Sequence, residues 1–169
     1  MAIRIDALGA AAARPGAVVA RALNEARTLG VKTAFLCHSH RDADLAKGMV
    51  RLLADAGWRV YIDWQDAEMP ETPNRETAQR IQQKIVDLEY FLFLATPNSM
   101  ASRWCPWEIG YTDGKKHIDR ILVVPTTDGA KTHGNEYLQL YRRVDISDKG
   151  ELAVWQPGQN NNGVLVKNL

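Results

Sequence analysis

The chain has 169 residues, 46% of them apolar, enough for one globular domain with a packed core and small appendages and too few for two. Its 21 basic and 20 acidic residues give a formal charge of +1, so bulk electrostatics argue for neither a nucleic-acid nor a membrane-surface partner. Cys37 and Cys105 are the only cysteines, with no CxxC and no Cys/His cluster at metal-ligand spacing; the expectation is no metal site and two buried thiols in a reducing compartment, the cytoplasm.

At the N-terminus the apolar run from Ala7 to Ala13 is short, Ala-based and interrupted by Arg14 and Pro15, which speaks against a targeting or membrane segment. Residues 17–29 are predicted to form a helix with Val18, Val19, Leu23 and Ala26 on one face and Gly30 ending it, so that 1–30 is a helical extension. From Val31 the pattern alternates strand and helix. Residues 32–37 are short, apolar and bounded by turn chemistry. Ser39 to Asp42 then resembles an N-capping segment, a hydroxyl followed three residues later by an acid. The stripe of Leu45, Ala46, Met49, Leu52, Leu53 and Ala56 predicts a helix closed by Gly57. Residues 58–62 read as an amphipathic edge strand ending at Asp63.

Trp64 to Asn74 is a long connection with two prolines and three acids, either a solvated connector or a working loop. Ala78, Ile81, Ile85 and Leu88 mark a second amphipathic helix, with Pro73 suited to its first turn. Tyr90 to Ala95 is apolar on both faces, as a central parallel strand requires. A helix carrying Trp104 and Glu108 follows, then a buried strand at 121–125 and a short edge strand at 141–146. Right-handed crossovers and short connections favour a flavodoxin-like, doubly wound, five-stranded parallel sheet, whose crevice lies beyond the carboxyl ends of the strands. His38, Ser39, Asp63, Thr96 and the Trp104/Glu108 region all fall at that end. Residues 147–169, with Leu152–Trp155 and Val164–Val166 around a turn-rich loop, read as a hairpin packed on the domain.

Trp104 and Glu108 are four residues apart, a spacing that puts an indole and a carboxylate on one helix face. No GxGxxG follows a strand, Gly110 to Lys116 lacks the spacing and Ser/Thr of a phosphate-binding loop, and no Ser lies on a GxSxG elbow. The strand ends Cys37-His38-Ser39 and Ala95-Thr96-Pro97 lack the acids of a phosphate-accepting receiver. Glu108 also has a structural reading: with Pro106 as first helical residue and Cys105 as N-cap, it falls at N3, where glutamate stabilises a helix end and the dipole favours its ionised form.

Three segments, Ala34 to Asp42, Gly57 to Asp63 and Ser102 to Glu108, together resemble a TIR (Toll/interleukin-1 receptor) domain over residues 31–146, most similar to the stand-alone bacterial TIR proteins of Thoeris anti-phage systems. The resemblance implies an NAD-consuming enzyme with NAD as substrate, no cofactor and no metal. Glu108 matches the catalytic glutamate that cleaves the nicotinamide–ribose bond, and Trp104 the aromatic preceding it. His38, Ser39 and Asp63 would line the substrate pocket beside Trp104. Nicotinamide leaves as a neutral molecule from a cationic ring, so one carboxylate suffices where an ordinary glycoside needs two. The product would be ADP-ribose or a cyclic isomer that signals to a separate effector protein. The Trp64 to Asn74 segment corresponds to the family's BB loop, which implies homo-oligomers through TIR–TIR contacts. Here that loop is acidic and lacks the usual apolar tip with glycine. Residues 125–128 also lack the aromatic that several catalytic relatives carry. Two alternatives stand beside this reading: a non-catalytic adaptor working by TIR–TIR association, and a nucleoside deoxyribosyltransferase-like enzyme.

Overall fold

The computed structural model describes residues 2–15, 30–63, 72, 74–137 and 139–169. Nine strands form one curled sheet: β1 (Ile3–Arg4), β2 (Thr33–Cys37), β3 (Arg59–Tyr61), β4 (Tyr90–Ala95), β5 (Ile121–Thr127), β6 (Thr132–His133), β7 (Arg142–Ile146), β8 (Leu152–Trp155) and β9 (Val164–Leu165). The helices are α1 (Ile5–Ala12), α2 (Ala43–Asp55), α3 (Arg75–Asp87), α4 (Pro97–Met100) and α5 (Trp104–Asp113). The path runs β3-β2-β4-β5-β7-β8-β9. Its first five strands pair in parallel, in flavodoxin order, with β3 at the edge.

β2 and β4 are buried along their whole length because helices cover both faces, which is why their sequences are continuously apolar. Alternation along the strands divides the core in two. Ala34, Leu36, Leu92 and Leu94 face one cluster with Leu8, Met49 and Leu53 of α1 and α2. Phe35, Cys37, Phe91 and Phe93 face the other, with Ile81 and Ile85 of α3 and Cys105 and Ile109 of α5. Phe35 stacks between Tyr61 and Phe91 at centroid distances of 5.7 Å to each.

Several local expectations are corrected. β7 is not an edge strand: β8 pairs antiparallel with it and β9 with β8, so residues 152–165 continue the sheet itself. The Trp58 indole N–H donates to the Val166 carbonyl at 3.1 Å and ties the far end of the chain to the start of β3. Asn74 caps α3 in a reciprocal capping box with Thr77, so the helix begins at Arg75; Pro73, expected in its first turn, lies outside the described residues. At the N-terminus β1 pairs in parallel with Thr126 and Thr127, and α1 then packs on α2. The expected 17–29 helix and nearly all of the 64–74 loop lie outside the described residues. Among the described residues no helix is long and apolar enough to cross a membrane, and no group of three or more His, Cys, Asp or Glu could hold a metal ion.

Candidate active site

The carboxyl ends of β2 and β4 are tied together by a buried polar bridge. Asp42 ends a one-turn 3-10 helix (His40–Asp42) after β2 and is 4% exposed. Its carboxylate accepts from Thr96 Oγ1 at 2.5 Å and from Asn98 Nδ2 at 2.7 Å. Ser99 closes the knot by accepting from the Thr96 N–H and donating to the Leu94 carbonyl. A buried carboxylate with this many donors is satisfied and rigid, and it fixes the spacing of the two strand ends. Sequence reasoning noted Thr96 but missed Asp42, which it read as a local capping partner of Ser39. The Ser39 hydroxyl instead accepts from the Arg41 N–H, and Asp42 turns across the crevice.

His38, the first residue after β2, is buried; its Nδ1 lies 2.9 Å from the Leu36 carbonyl. Since a carbonyl only accepts, Nδ1 carries a proton and Nε2 is directed to Asp63, 3.9 Å away. Burial pushes the His38 pKa down, favouring the neutral ring. The exposed His40 ring lies parallel to His38 at 6.3 Å, and its Nε2 is 3.3 Å from Asp63. Asp63 thus gathers two imidazoles at the end of β3. Ser39 lies between them in sequence, its hydroxyl engaged in the turn.

On α5 the helix begins two residues before the expected start. Ser102 Oγ accepts from the N–H groups of Trp104 (3.1 Å) and Cys105 (3.4 Å), so serine serves the helix end and Cys105 is not the cap. Glu108 becomes the fifth helical residue, beyond the positions where a capping glutamate works. It is 5% exposed, and the nearby Cys37 thiol donates to the Cys105 carbonyl at 3.9 Å. Burial pushes its pKa well above the carboxylate range; the neighbouring Cys37 thiol pulls it down less than burial raises it, and Cys105 and Asp63 push it up. The expectation that the helix dipole keeps Glu108 ionised is therefore corrected: desolvation wins.

Trp104 lies at a different depth, 36% exposed. Its ring meets Trp107 edge-on at 5.4 Å and 88°, and Trp107 in turn stacks on Tyr111 at 6.0 Å. The i, i+4 pair thus divides into an outer aromatic and a buried acid. Tyr137, which sequence reasoning passed over, folds back from the loop after β6 onto the edge of Phe93 at 5.2 Å and lies near both thiols. Its only sequence signal was an aromatic in the otherwise polar stretch Gly134-Asn-Glu-Tyr137.

A parallel sheet in flavodoxin order with helices on both faces is consistent with the fold of a TIR domain. The TIR domain family matches residues 34–154, and the chain belongs to that family. It is similar to the probable 3' cyclic ADP-D-ribose synthase ThsB' of Bacillus cereus (strain MSX-D12), 34% identical over 113 residues that cover 65% of this chain and 58% of that protein. It is also similar to the putative cyclic ADP-D-ribose synthase TIR2 of Cytobacillus dafuensis, 24% identical over 92 residues that cover 53% of this chain and 24% of that one. The matches thus span 58% and 24% of the lengths of these two relatives.

Proposed function

We propose that the chain cleaves the nicotinamide–ribose bond of NAD and forms a cyclic ADP-ribose-type product that activates a separate effector in anti-phage defence. The observation that carries this is Glu108: a carboxyl group buried at the carboxyl edge of the sheet, on a helix that does not use it as a cap. The names of the two relatives support the product class.

The raised pKa of Glu108 fits a cationic substrate. An opposite charge close to a buried carboxyl favours its ionised form, so bound NAD, with its pyridinium ring, draws the proton off Glu108 and receives a carboxylate in a site that excludes water. As the C–N bond opens, the ring takes the bonding pair and departs as neutral nicotinamide. Positive charge moves to the ribose, where the Glu108 carboxylate stabilises the oxocarbenium-like carbon and orients the ribose hydroxyls. Capture by an internal ribose hydroxyl gives the cyclic product, and capture by water gives ADP-ribose. Trp104 offers an exposed indole to a flat ring of the substrate. His38, neutral and anchored to Leu36, and Asp63 form the opposite wall, with Ser39 holding the turn beside them. The protein works in the cytoplasm, where NAD is at hand, and self-associates through TIR–TIR contacts.

Incubation with NAD, with and without phage lysate, should release nicotinamide together with an ADP-ribose isomer, and Glu108→Ala should abolish both. Absence of turnover under every condition, with self-association intact, would favour the adaptor role instead. Trp104→Ala should raise KM for NAD about 10-fold with kcat nearly unchanged, as expected for a ring platform worth about 1–3 kcal/mol.

A further inference from the structure

At the opposite end of the strand order from β2 and β3, strands β7, β8 and β9 carry a cavity of about 530 Å³, within the roughly 300–1,000 Å³ that small-molecule sites occupy. Its lining residues all fall between positions 143 and 165. Strand alternation explains the floor. Val144 and Ile146 turn to the core under α1 and α2, so Arg143 and Asp145 point to the other side of the sheet. The register places Trp155 opposite Arg143, Ala153 opposite Asp145 and Leu165 opposite Ala153, which gathers all five on one face. Arg143 and Asp145 are buried, and a charge taken out of water is costly unless it is held. Both are held: Arg143 donates to the Gln159 carbonyl at 2.5 Å and to Asn160 Oδ1 at 2.9 Å, and the Asp145 carboxylate accepts from the Ile146 N–H at 2.7 Å.

The rim is different. Asp148 and Lys149 on one turn, and Asn161 and Asn162 on the other, are exposed and make no side-chain hydrogen bond or ion pair among the described residues. Two acids and two bases line the cavity, so their charges cancel. A phosphate would meet Asp145 and Asp148, and a cation would meet Arg143 and Lys149. An apolar ligand would strip water from the rim groups and return no hydrogen bond. Trp155 offers little to a flat heterocycle: the Arg143 guanidinium lies over its ring, 5.0 Å from the centroid, and a Cβ at Gly163 would come within 2.5 Å of the indole. What fits is a neutral ligand rich in groups that both donate and accept, as a hydroxyl does. We propose that this cavity binds a small neutral sugar. Its hydroxyls would donate to the carboxylates, accept from Lys149 and do both with the asparagine amides, over the apolar part of the floor at Ala153 and Leu165. The proposal is independent of the reaction at Glu108.

The test follows backbone amide signals of the nitrogen-15-labelled full chain by NMR as ribose, glucose or maltose is added, with inorganic phosphate and nicotinamide as anionic and flat neutral comparisons. At least one sugar should move signals of residues 143–165 saturably, with a Kd on the order of 1 mM. Asn161→Ala combined with Asn162→Gly removes two rim amides; Asn162 sits in the left-handed region at φ 58°, which glycine adopts without strain. This double variant should weaken sugar binding by about 5-fold or more. Lys149→Ala, on the other turn, should weaken it in the same direction and stands in should the double variant fail to fold. No saturable shift with any of the three sugars up to about 50 mM would overturn the proposal. So would phosphate or nicotinamide binding at these residues in place of sugar, or sugar binding that the variants leave unchanged. The readout is binding and involves no turnover, so a failed sugar titration and a failed nicotinamide-release assay are separate results.

Discussion

The two faces of the central sheet are built from the same strands but from different chemistry. Among the described residues, the hydrophobic core under α1 and α2 is aliphatic apart from Met49, Trp58 and Tyr90. The face under α3 and α5 packs three phenylalanines, two tyrosines and both thiols, and Glu108 is buried at its upper edge. Strand alternation lets one sequence serve both: in Leu36-Cys37 and in Leu94-Ala95 successive residues point to opposite sides. The first face supplies burial and little else; the second holds a buried carboxyl that costs stability and gives chemistry. Substitutions on the two faces should therefore fail in different assays.

The largest effect should come from Glu108→Ala, which removes the only carboxylate proposed to meet the ribosyl cation. Nicotinamide release should fall by roughly 10²–10³-fold or more, the scale of losing one electrostatic stabiliser of a transition state, while the unfolding midpoint stays at or above wild type. Equal losses of activity and stability would erase the contrast between the faces.

On the other face the sensitive point is Gly48 of α2. A Cβ there would lie 2.0 Å from the Leu8 backbone oxygen, so α1 can approach only because the side chain is absent. Gly48→Ala gains about 1 kcal/mol of helix propensity and loses the docking of α1, and the backbone clash decides the sign. Denaturant unfolding should show a net loss of about 1–3 kcal/mol. A wild-type midpoint would mean that α1 does not seat on α2 as described.

A smaller loss should follow Trp58→Phe, which keeps an aromatic beside Tyr90 (4.6 Å between ring centroids) but removes the donor to Val166. The Val166 carbonyl keeps only the longer bond from the Leu169 N–H, at 3.3 Å, so the loss should be about 0.5–1.5 kcal/mol, and amide exchange should quicken first in residues 164–169. Uniform quickening across the sheet would show that the C-terminal segment is no separate unit.

These contrasts were unequally legible in the sequence. Tyr90–Ala95 could be placed at the centre because burial on both faces forces a continuous apolar run, and the same logic located the parallel strands and the crevice they define. The fate of residues 152–165 was half legible. Their turn-rich loop announced a hairpin, but whether it packs on a sheet or extends it depends on pairing with β7, which no local pattern encodes. Asp42 satisfied a local capping pattern and was claimed by Thr96 and Asn98, partners more than fifty residues away in the chain. Glu108 was found, but its depth was not. A two-residue shift in where α5 begins, from Pro106 to Trp104, turned a plausible capping glutamate into a buried one, and helix boundaries are the part of a helix that sequence specifies least. Cys37 offered no signal beyond its strand, because a thiol in an apolar run reads as one more small hydrophobe.

The finest distinction between the faces is their pH dependence. Burial raises the folded-state pKa of Glu108 above its unfolded value of about 4.3, so between the two the folded chain holds a proton that the unfolded chain has lost. The stability contributed by the neutral carboxyl is therefore complete below pH about 4, falls as pH rises toward the folded pKa, and levels off above it. Glu108→Gln carries no such charge. Its melting curve should coincide with wild type near pH 4 and rise above it as pH increases. Turnover should run the other way, climbing with pH as the carboxylate forms, so that activity appears as stability is given up. Gly48→Ala, which touches no titratable group, should shift stability by the same amount at every pH. If wild type and Glu108→Gln instead melt in parallel from pH 4 to 8, Glu108 is solvated, and the chemical difference between the two faces reduces to one of packing.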